Sequence, residues 1–205
     1  MMNKQRINEL IDLALEVPDF IYPHDSEEYL NQTINCRKSS MFNSFLNEVL
    51  SNSQGDVLEI GALTGTSTKV FCEAAMRFNR TVHVFDPWNG EEAGSESAYQ
   101  RFLSRTSSYS NLNVTRLSSN SDEAIAKMKE MKIAFCLIDG LHTFDFALKD
   151  LLTVSDSITE GGIICLDDIN IPDVSKAAKK FLADKGSNWE FVQREGFIES
   201  FFCRK

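Results

Sequence analysis

Five short apolar runs alternate with five amphipathic stretches between residues 56 and 185, and no other feature restricts the fold as much. The runs are "DVLEIGA" (56–62), "TVHVFDPW" (81–88), "NVTRLSS" (113–119), "IAFCLID" (133–139) and "GGIICLDD" (161–168). Each is too short for a helix, and each is followed by a stretch with helical spacing, such as "TSTKVFCEAAMRF" or "TFDFALKDLLTVSDSI". Near-continuous apolar strands separated by helices imply a parallel sheet covered on both faces. Two further runs, "WEFVQRE" and "FIESFFCRK", flank Glu195-Gly196. A turn that short makes them antiparallel to each other. The expected architecture is α/β: a Rossmann-like, doubly wound, seven-stranded and mostly parallel sheet with an antiparallel last strand.

The first 53 residues precede this rhythm and read as a helical N-terminal extension, with 54–205 as the core of a single domain spanning 1–205. Ile7, Leu10, Ile11, Ala14 and Leu15 share one helical face, and Pro18 and Pro23 then break the pattern. In "SSMFNSFLNEVLSN", Ser39 or Ser40 is the expected N-cap, with Phe42, Phe45, Leu46, Val49 and Leu50 inward. The Gly-containing polar stretch 87–98 is a candidate mobile loop.

The formal net charge of −9 argues against a nucleic-acid backbone or an anionic membrane as partner. No apolar run is long enough to span a bilayer. The start carries Asn, Glu and Asp at short intervals, so it reads as an amphipathic helix rather than a signal peptide. Five cysteines, Cys36, Cys72, Cys136, Cys165 and Cys203, include no CxxC pair. They are expected to be reduced and mostly packed, in a cytoplasmic protein.

In open parallel sheets, ligands bind beyond the carboxyl ends of the strands. The first such end, "LEIGALTGTST", sets Gly61 and Gly65 four apart between strand and helix. Glycine permits close approach to the backbone, and the helix N-terminus offers free N–H groups. Neither GxGxxG nor a P-loop Lys is present. The second end carries Asp86, 21 residues after Gly65, where a carboxylate suits a ribose diol. Trp88 shapes that pocket or simply packs. At the third end, Ser119, Asn120 and Ser121 are candidates to border a nucleobase, with helix capping by Ser121 as the alternative. The fourth and fifth ends carry Asp139 and the pair Asp167-Asp168, expected to meet at one place. Carboxylates so gathered repel one another unless a cation intervenes, and oxygen ligands suit a hard ion such as Mg²⁺, with Ca²⁺ and Mn²⁺ as alternatives. His142, three residues past Asp139, is a candidate general base. His24 and His83 read as structural, Lys149-Asp150 as a solvated helix face, and Phe201-Phe202 as sheet packing.

The pattern E-x-G-x-x-x-G-x-S at 59–67 resembles motif I of the class I S-adenosylmethionine-dependent methyltransferases. "LIDGLHTFDFALKDLLTVSDSITEGGIICLDDI" resembles the D-G-x-H…D-D segment of a methyltransferase family that includes metal-dependent sugar O-methyltransferases. The resemblance covers about residues 55–170. It implies S-adenosylmethionine against Glu59, Gly61, Gly65, Asp86, Ser119, Asn120 and Asp139. It also implies Mg²⁺ on Asp139, Asp167 and Asp168, catalysis by His142 with Asp139, and a small hydroxylated acceptor such as a sugar. A homo-oligomer is left open. A nucleotide-dependent oxidoreductase and a non-catalytic cofactor-binding module are the competing expectations.

Overall fold

The structure is a computed structural model in which residues 2–16, 36–90 and 96–205 are described, with 36–39 described as backbone only. The breaks at Pro18 and Pro23, the residue His24, part of the loop 87–98, and the side chains of Cys36 and Ser39 lie outside the described residues.

Among the described residues, α1 (Lys4–Leu15) and α2 (Cys36–Asn52) precede the sheet. The alternating elements follow: β1 (Asp56–Ile60), α3 (Thr66–Met76), β2 (Val82–Phe85), α4 (Glu96–Thr106), β3 (Leu112–Thr115), α5 (Asp122–Lys129), β4 (Ile133–Ile138), α6 (Phe144–Ser155), β5 (Ile158–Leu166) and α7 (Pro172–Lys185). A 3₁₀ turn at Gly186–Asn188 leads to β6 (Trp189–Gln193) and β7 (Ser200–Arg204). The seven strands stand in the order β3-β2-β1-β4-β5-β7-β6. The first five pair in parallel, and β7 lies antiparallel between β5 and β6. This is the expected doubly wound sheet with its antiparallel last strand.

Strand alternation sends neighbouring residues into two different cores. Val57, Phe135, Leu137 and Phe201 face the layer of α1 to α4, where they meet Phe42, Phe45 and Phe71. There the Phe42 and Phe71 rings meet edge-on at 5.2 Å, and Phe45 stacks on Phe201 at 4.5 Å. Leu58, Cys136, Ile138, Ile164 and Phe202 face the other layer and pack on Leu151, Val154, Ala178 and Phe181. Two-sided burial is why β4 reads as an unbroken apolar run, buried at all six positions. Phe201 and Phe202 are thus sheet packing, one on each face.

Several local expectations need correction. α2 begins at Cys36, so Ser40 lies inside it and neither Ser39 nor Ser40 is its N-cap. Leu15 closes α1 but is 37% exposed, while Ile7, Leu10, Ile11 and Ala14 are buried as expected. β3 ends at Thr115 because it is an edge strand with β2 as its one partner. β5 starts three residues before Gly161. Cys72, Cys136, Cys165 and Cys203 are buried free thiols. Among the described residues, no helix is long and apolar enough to cross a membrane.

The sheet reverses winding direction between β1 and β4, and the crevice at that switch point is where an α/β sheet of this order takes ligands. All but one of the candidate residues lie at or beyond the carboxyl ends of strands; Glu59 sits within β1.

Candidate functional site

The loop after β1 is built on two glycines in left-handed conformation, Gly61 at φ +83° and Gly65 at +77°. A Cβ on Gly61 would stand 2.0 Å from the Asp139 carbonyl oxygen. Gly61 is therefore what lets the loop after β1 lie directly against the loop after β4. Gly65 is the N-cap of α3, and a Cβ there would press on the Phe102 ring at 2.8 Å.

Asp86, just past β2, fastens this loop. Its Oδ2 accepts from the backbone N–H groups of Ala62 (2.9 Å) and Leu63 (3.0 Å), and its Oδ1 accepts from Trp88 N (2.9 Å). Trp88 returns the contact by donating from Nε1 to Leu63 O at 2.8 Å. Leu63 (φ +47°) and Trp88 (+45°) are both left-handed non-glycine residues, a strained arrangement that these bonds hold in place. Trp88 packs against Tyr99 and Phe102. A carboxylate offers about four acceptor directions, so Asp86 keeps one beyond the three it uses. From α4, Arg105 Nη1 reaches Thr64 O (2.8 Å) and Thr66 Oγ1 (2.6 Å), tying that helix to the same loop.

Glu59 lies within β1 and is completely buried. The hydroxyls of Ser67 and Thr68, from the first turn of α3, both donate to it. Burial pushes its carboxyl up to about 8; the two hydroxyls oppose the shift, and Asp139 and Asp86 reinforce it.

Beyond β3, Ser121 Oγ caps α5 by accepting from Ala124 N at 3.2 Å. Asn120 turns inward. Its Nδ2 donates to Asp150 Oδ1 at 3.3 Å, and its backbone carbonyl accepts from Lys149 Nζ at 2.8 Å. Its Oδ1 is buried with no hydrogen-bond partner. The expectation that Lys149 and Asp150 form a solvated face holds for the exposed Lys149 and fails for Asp150. Asp150 is 1% exposed, and burial raises its carboxyl to about 7, with a hydrogen bond from Ser119 and the charge of Lys149 opposing. The sequence did carry a signal for this. Asp150 falls with Ala147, Leu151 and Val154 on the i, i+3, i+4, i+7 stripe that faces the core.

At the ends of β4 and β5, Asp139, His142 and Asp168 each place a ligand atom within 4.8 Å of the other two. His142 Nε2 stands 3.2 Å from Asp168 Oδ2 and 3.5 Å from Asp139 Oδ1, yet forms no aligned hydrogen bond. Asp139 raises the imidazole pKa; Asp168 and Asp167 add to the effect, and burial opposes it. Asp167 is not in this group. It extends the ladder through Asp167 N to Ile138 O (3.0 Å), and its Oδ1 accepts from Asp168 N at 2.9 Å. The left-handed backbone at Asp168 (φ +53°) then carries the next carboxylate toward Asp139 and His142. The expected triad of acids is realised here as two acids and an imidazole. The two carboxylates fit a small divalent cation, Mg²⁺ or Mn²⁺, and the unaligned, buried Nε2 beside them is placed to accept a proton. His83 lies apart, with Nε2 3.1 Å from Asp56 Oδ2 at the opposite end of the strands.

Residues 58–169 match a family described as a methyltransferase domain. No curated protein is similar enough in sequence to count as a match. Among solved structures, the chain resembles CalS11, the TDP-rhamnose 3′-O-methyltransferase of calicheamicin biosynthesis, at TM-score 0.64 and 15% identity, over 96% of this chain and 92% of that one. It resembles the O-methyltransferase NovP at TM-score 0.60 and 15% identity, over 97% and 99% of the two chains. It also resembles TomG, an O-methyltransferase of tomaymycin synthesis from Streptomyces achromogenes solved with S-adenosylmethionine, at TM-score 0.64 and 10% identity, over 100% and 99%.

Proposed function

The chain belongs to this methyltransferase-domain family, and from that premise we propose that it transfers the methyl group of S-adenosylmethionine to a hydroxyl oxygen of a small molecule with the help of a divalent cation. The observation that carries the proposal is His142 Nε2, buried and unaligned between Asp139 and Asp168 at the switch point of the sheet. The solved O-methyltransferases of the same fold support oxygen as the acceptor atom, and the sugar enzyme among them makes a sugar hydroxyl a natural candidate.

The cofactor contributes a methyl group already activated by its positively charged sulfur. A cation held by Asp139 and Asp168 would lower the pKa of the acceptor hydroxyl. The protein's own residues do the rest. The loop 61–65 gives the cofactor its backbone cradle, and Asp86 retains one acceptor direction for a ribose hydroxyl. His142 takes the hydroxyl proton at Nε2, the nitrogen that faces the two carboxylates. Asp139 orients that imidazole and favours its charged form once the proton has arrived. Holding acceptor and methyl in line is the main source of acceleration, because orientation alone supplies roughly 7–11 kcal/mol in well-aligned reactions. The buried free thiols agree with a reducing, cytoplasmic setting.

The test is calorimetric titration with S-adenosylhomocysteine, with and without Mg²⁺ or Mn²⁺, followed by methyl transfer to a panel of sugars and vicinal diols. Cofactor affinity together with cation-stimulated transfer to oxygen is the expected result. Cofactor binding with transfer that ignores chelator would remove the cation from the mechanism. Binding without transfer to any hydroxylated acceptor would favour a cofactor-binding module.

A further inference from the structure

Beyond β3, Ser119, Asn120 and Ser121 each carry a side chain that can accept a hydrogen bond, and two of these are already committed. Ser121 Oγ caps α5. Ser119 is bonded to Asp150. The third, Asn120 Oδ1, is buried without a partner. An amide presents a carbonyl on one side and an NH₂ on the other, so whatever binds one side decides what the other side shows. Here the NH₂ side is taken: Nδ2 donates to Asp150 Oδ1 at 3.3 Å. The backbone of Asn120 is held as well, through its carbonyl and Lys149 Nζ at 2.8 Å. Both restraints come from adjacent residues of α6, a helix packed on the core through Leu151 and Val154. Asp150 Oδ1 accepts from Nδ2 and so holds the amide in this one orientation.

We propose that Asp150 is a positioning residue for nucleobase recognition: by holding Asn120 Nδ2, it leaves Asn120 Oδ1 as the acceptor for the exocyclic 6-amino group of the cofactor's adenine. This rests on the S-adenosylmethionine reading above and adds to it a rule of selectivity. A 6-amino group donates to Oδ1 and satisfies an otherwise orphaned buried acceptor. A 6-oxo group, as in hypoxanthine, sets acceptor against acceptor. Leaving such a pair unsatisfied costs about 1–3 kcal/mol, so the site should prefer adenosyl over inosyl ligand by roughly 5- to 150-fold. The same carboxylate also lies beneath the turn after β4, since a Cβ on Gly140 would be 3.5 Å from Asp150 Oδ2. One buried side chain therefore braces both the nucleobase loop and the turn that leads to His142.

The experiment is calorimetric titration of the full chain with S-adenosylhomocysteine and with S-inosylhomocysteine, for the parent, Asp150→Ala, Asp150→Asn and Asn120→Ala, with a thermal melt of each. The parent should discriminate at least about 5-fold. Asp150→Ala frees the amide to turn its NH₂ toward the base, and the preference should fall to within about 2-fold. Asp150→Asn can donate as well as accept, so the Asn120 amide is no longer fixed and the preference should fall below the parent's. Asn120→Ala should weaken adenosyl binding and leave inosyl binding unchanged. A purely structural Asp150 would lower the melting temperature and weaken both ligands together. A parent that binds both nucleosides equally, or a folded Asp150→Ala that discriminates as the parent does, overturns the proposal. A parent that binds neither overturns the cofactor reading itself. Should Asp150→Ala not fold, Asp150→Asn carries the test, and a folded Asp150→Asn that discriminates as the parent does overturns the proposal.

Discussion

Replacing Glu59 with Gln should make the protein more stable at alkaline pH, with little change near pH 5. Glu59 is fully buried, and its carboxyl is pushed from 4.5 to about 8, chiefly by burial. In the unfolded chain the group ionises near 4.5; in the folded chain it holds its proton until about 8. Folded protein binds the extra proton throughout that window, so stability falls as pH rises from 4.5 to about 8 and is level beyond it. The slope is about 1.36 kcal/mol per pH unit, and the whole window is worth at most about 5 kcal/mol. Gln removes the titration and keeps the shape. Its carbonyl accepts from one of the Ser67 and Thr68 hydroxyls, and its NH₂ donates to the other, which can rotate to accept. Urea denaturation of parent and Glu59→Gln from pH 5 to 9 provides the assay. Asp150 and His142 also titrate, but both are common to the two proteins and cancel in the difference. The difference should climb steadily in favour of Gln between pH 5 and 8 and then flatten. Parallel curves would mean that Glu59 is ionised in the folded protein, and the burial argument would fail.

His142→Ala should lower kcat by about 10²- to 10⁴-fold, the usual worth of a general base, while S-adenosylhomocysteine affinity stays within 2-fold; parent-like turnover on the true acceptor would remove His142 from the mechanism. Asp168→Asn should raise the Mg²⁺ or Mn²⁺ concentration needed for half-maximal activity without altering cofactor affinity, read from rates across a cation titration. Gly61→Ala should destabilise by more than about 2 kcal/mol, because it adds a side chain at φ +83° and drives a Cβ to 2.0 Å from the Asp139 carbonyl. A fall of roughly 5 °C or more in melting temperature is expected, and an unchanged melt would refute the contact.

The parts of the molecule legible in the sequence are those set by periodicity. The apolar runs place every strand of the sheet to within a few residues, and the short turn at Glu195-Gly196 requires β6 and β7 to be antiparallel. The site was legible as far as strand ends are: Asp86, Asp139 and Asp168 lie where apolar runs stop at charge. What the sequence could not give is side-chain direction. Asp167 and Asp168 are adjacent and alike in type, and the left-handed backbone at Asp168 decides which one meets His142. Asp86 fits a ribose acceptor by position, but its bonds to Ala62, Leu63 and Trp88 emerge only from loop geometry. Asp150 was misread because a charged residue beside a lysine suggests solvent, even though its place on the helical stripe points inward.

The position of β7 between β5 and β6 sets synthesis against assembly. β6 precedes β7 in the chain but touches the sheet through β7 alone. A ribosome that has released the chain through Gln193 has therefore produced a strand with no neighbour to join. The edge of β5 stays open until Ser200–Arg204 emerges and fills it. The same strand then reaches the beginning of the chain, where Cys203 Sγ donates to Met2 O at 2.8 Å. Nascent protein must carry an unsatisfied sheet edge until β7 has emerged, and an exposed edge is a template for wrong partners. Loss of Ser200–Arg204 would release β6 and uncover β5 together, so β7 acts as the keystone of the sheet.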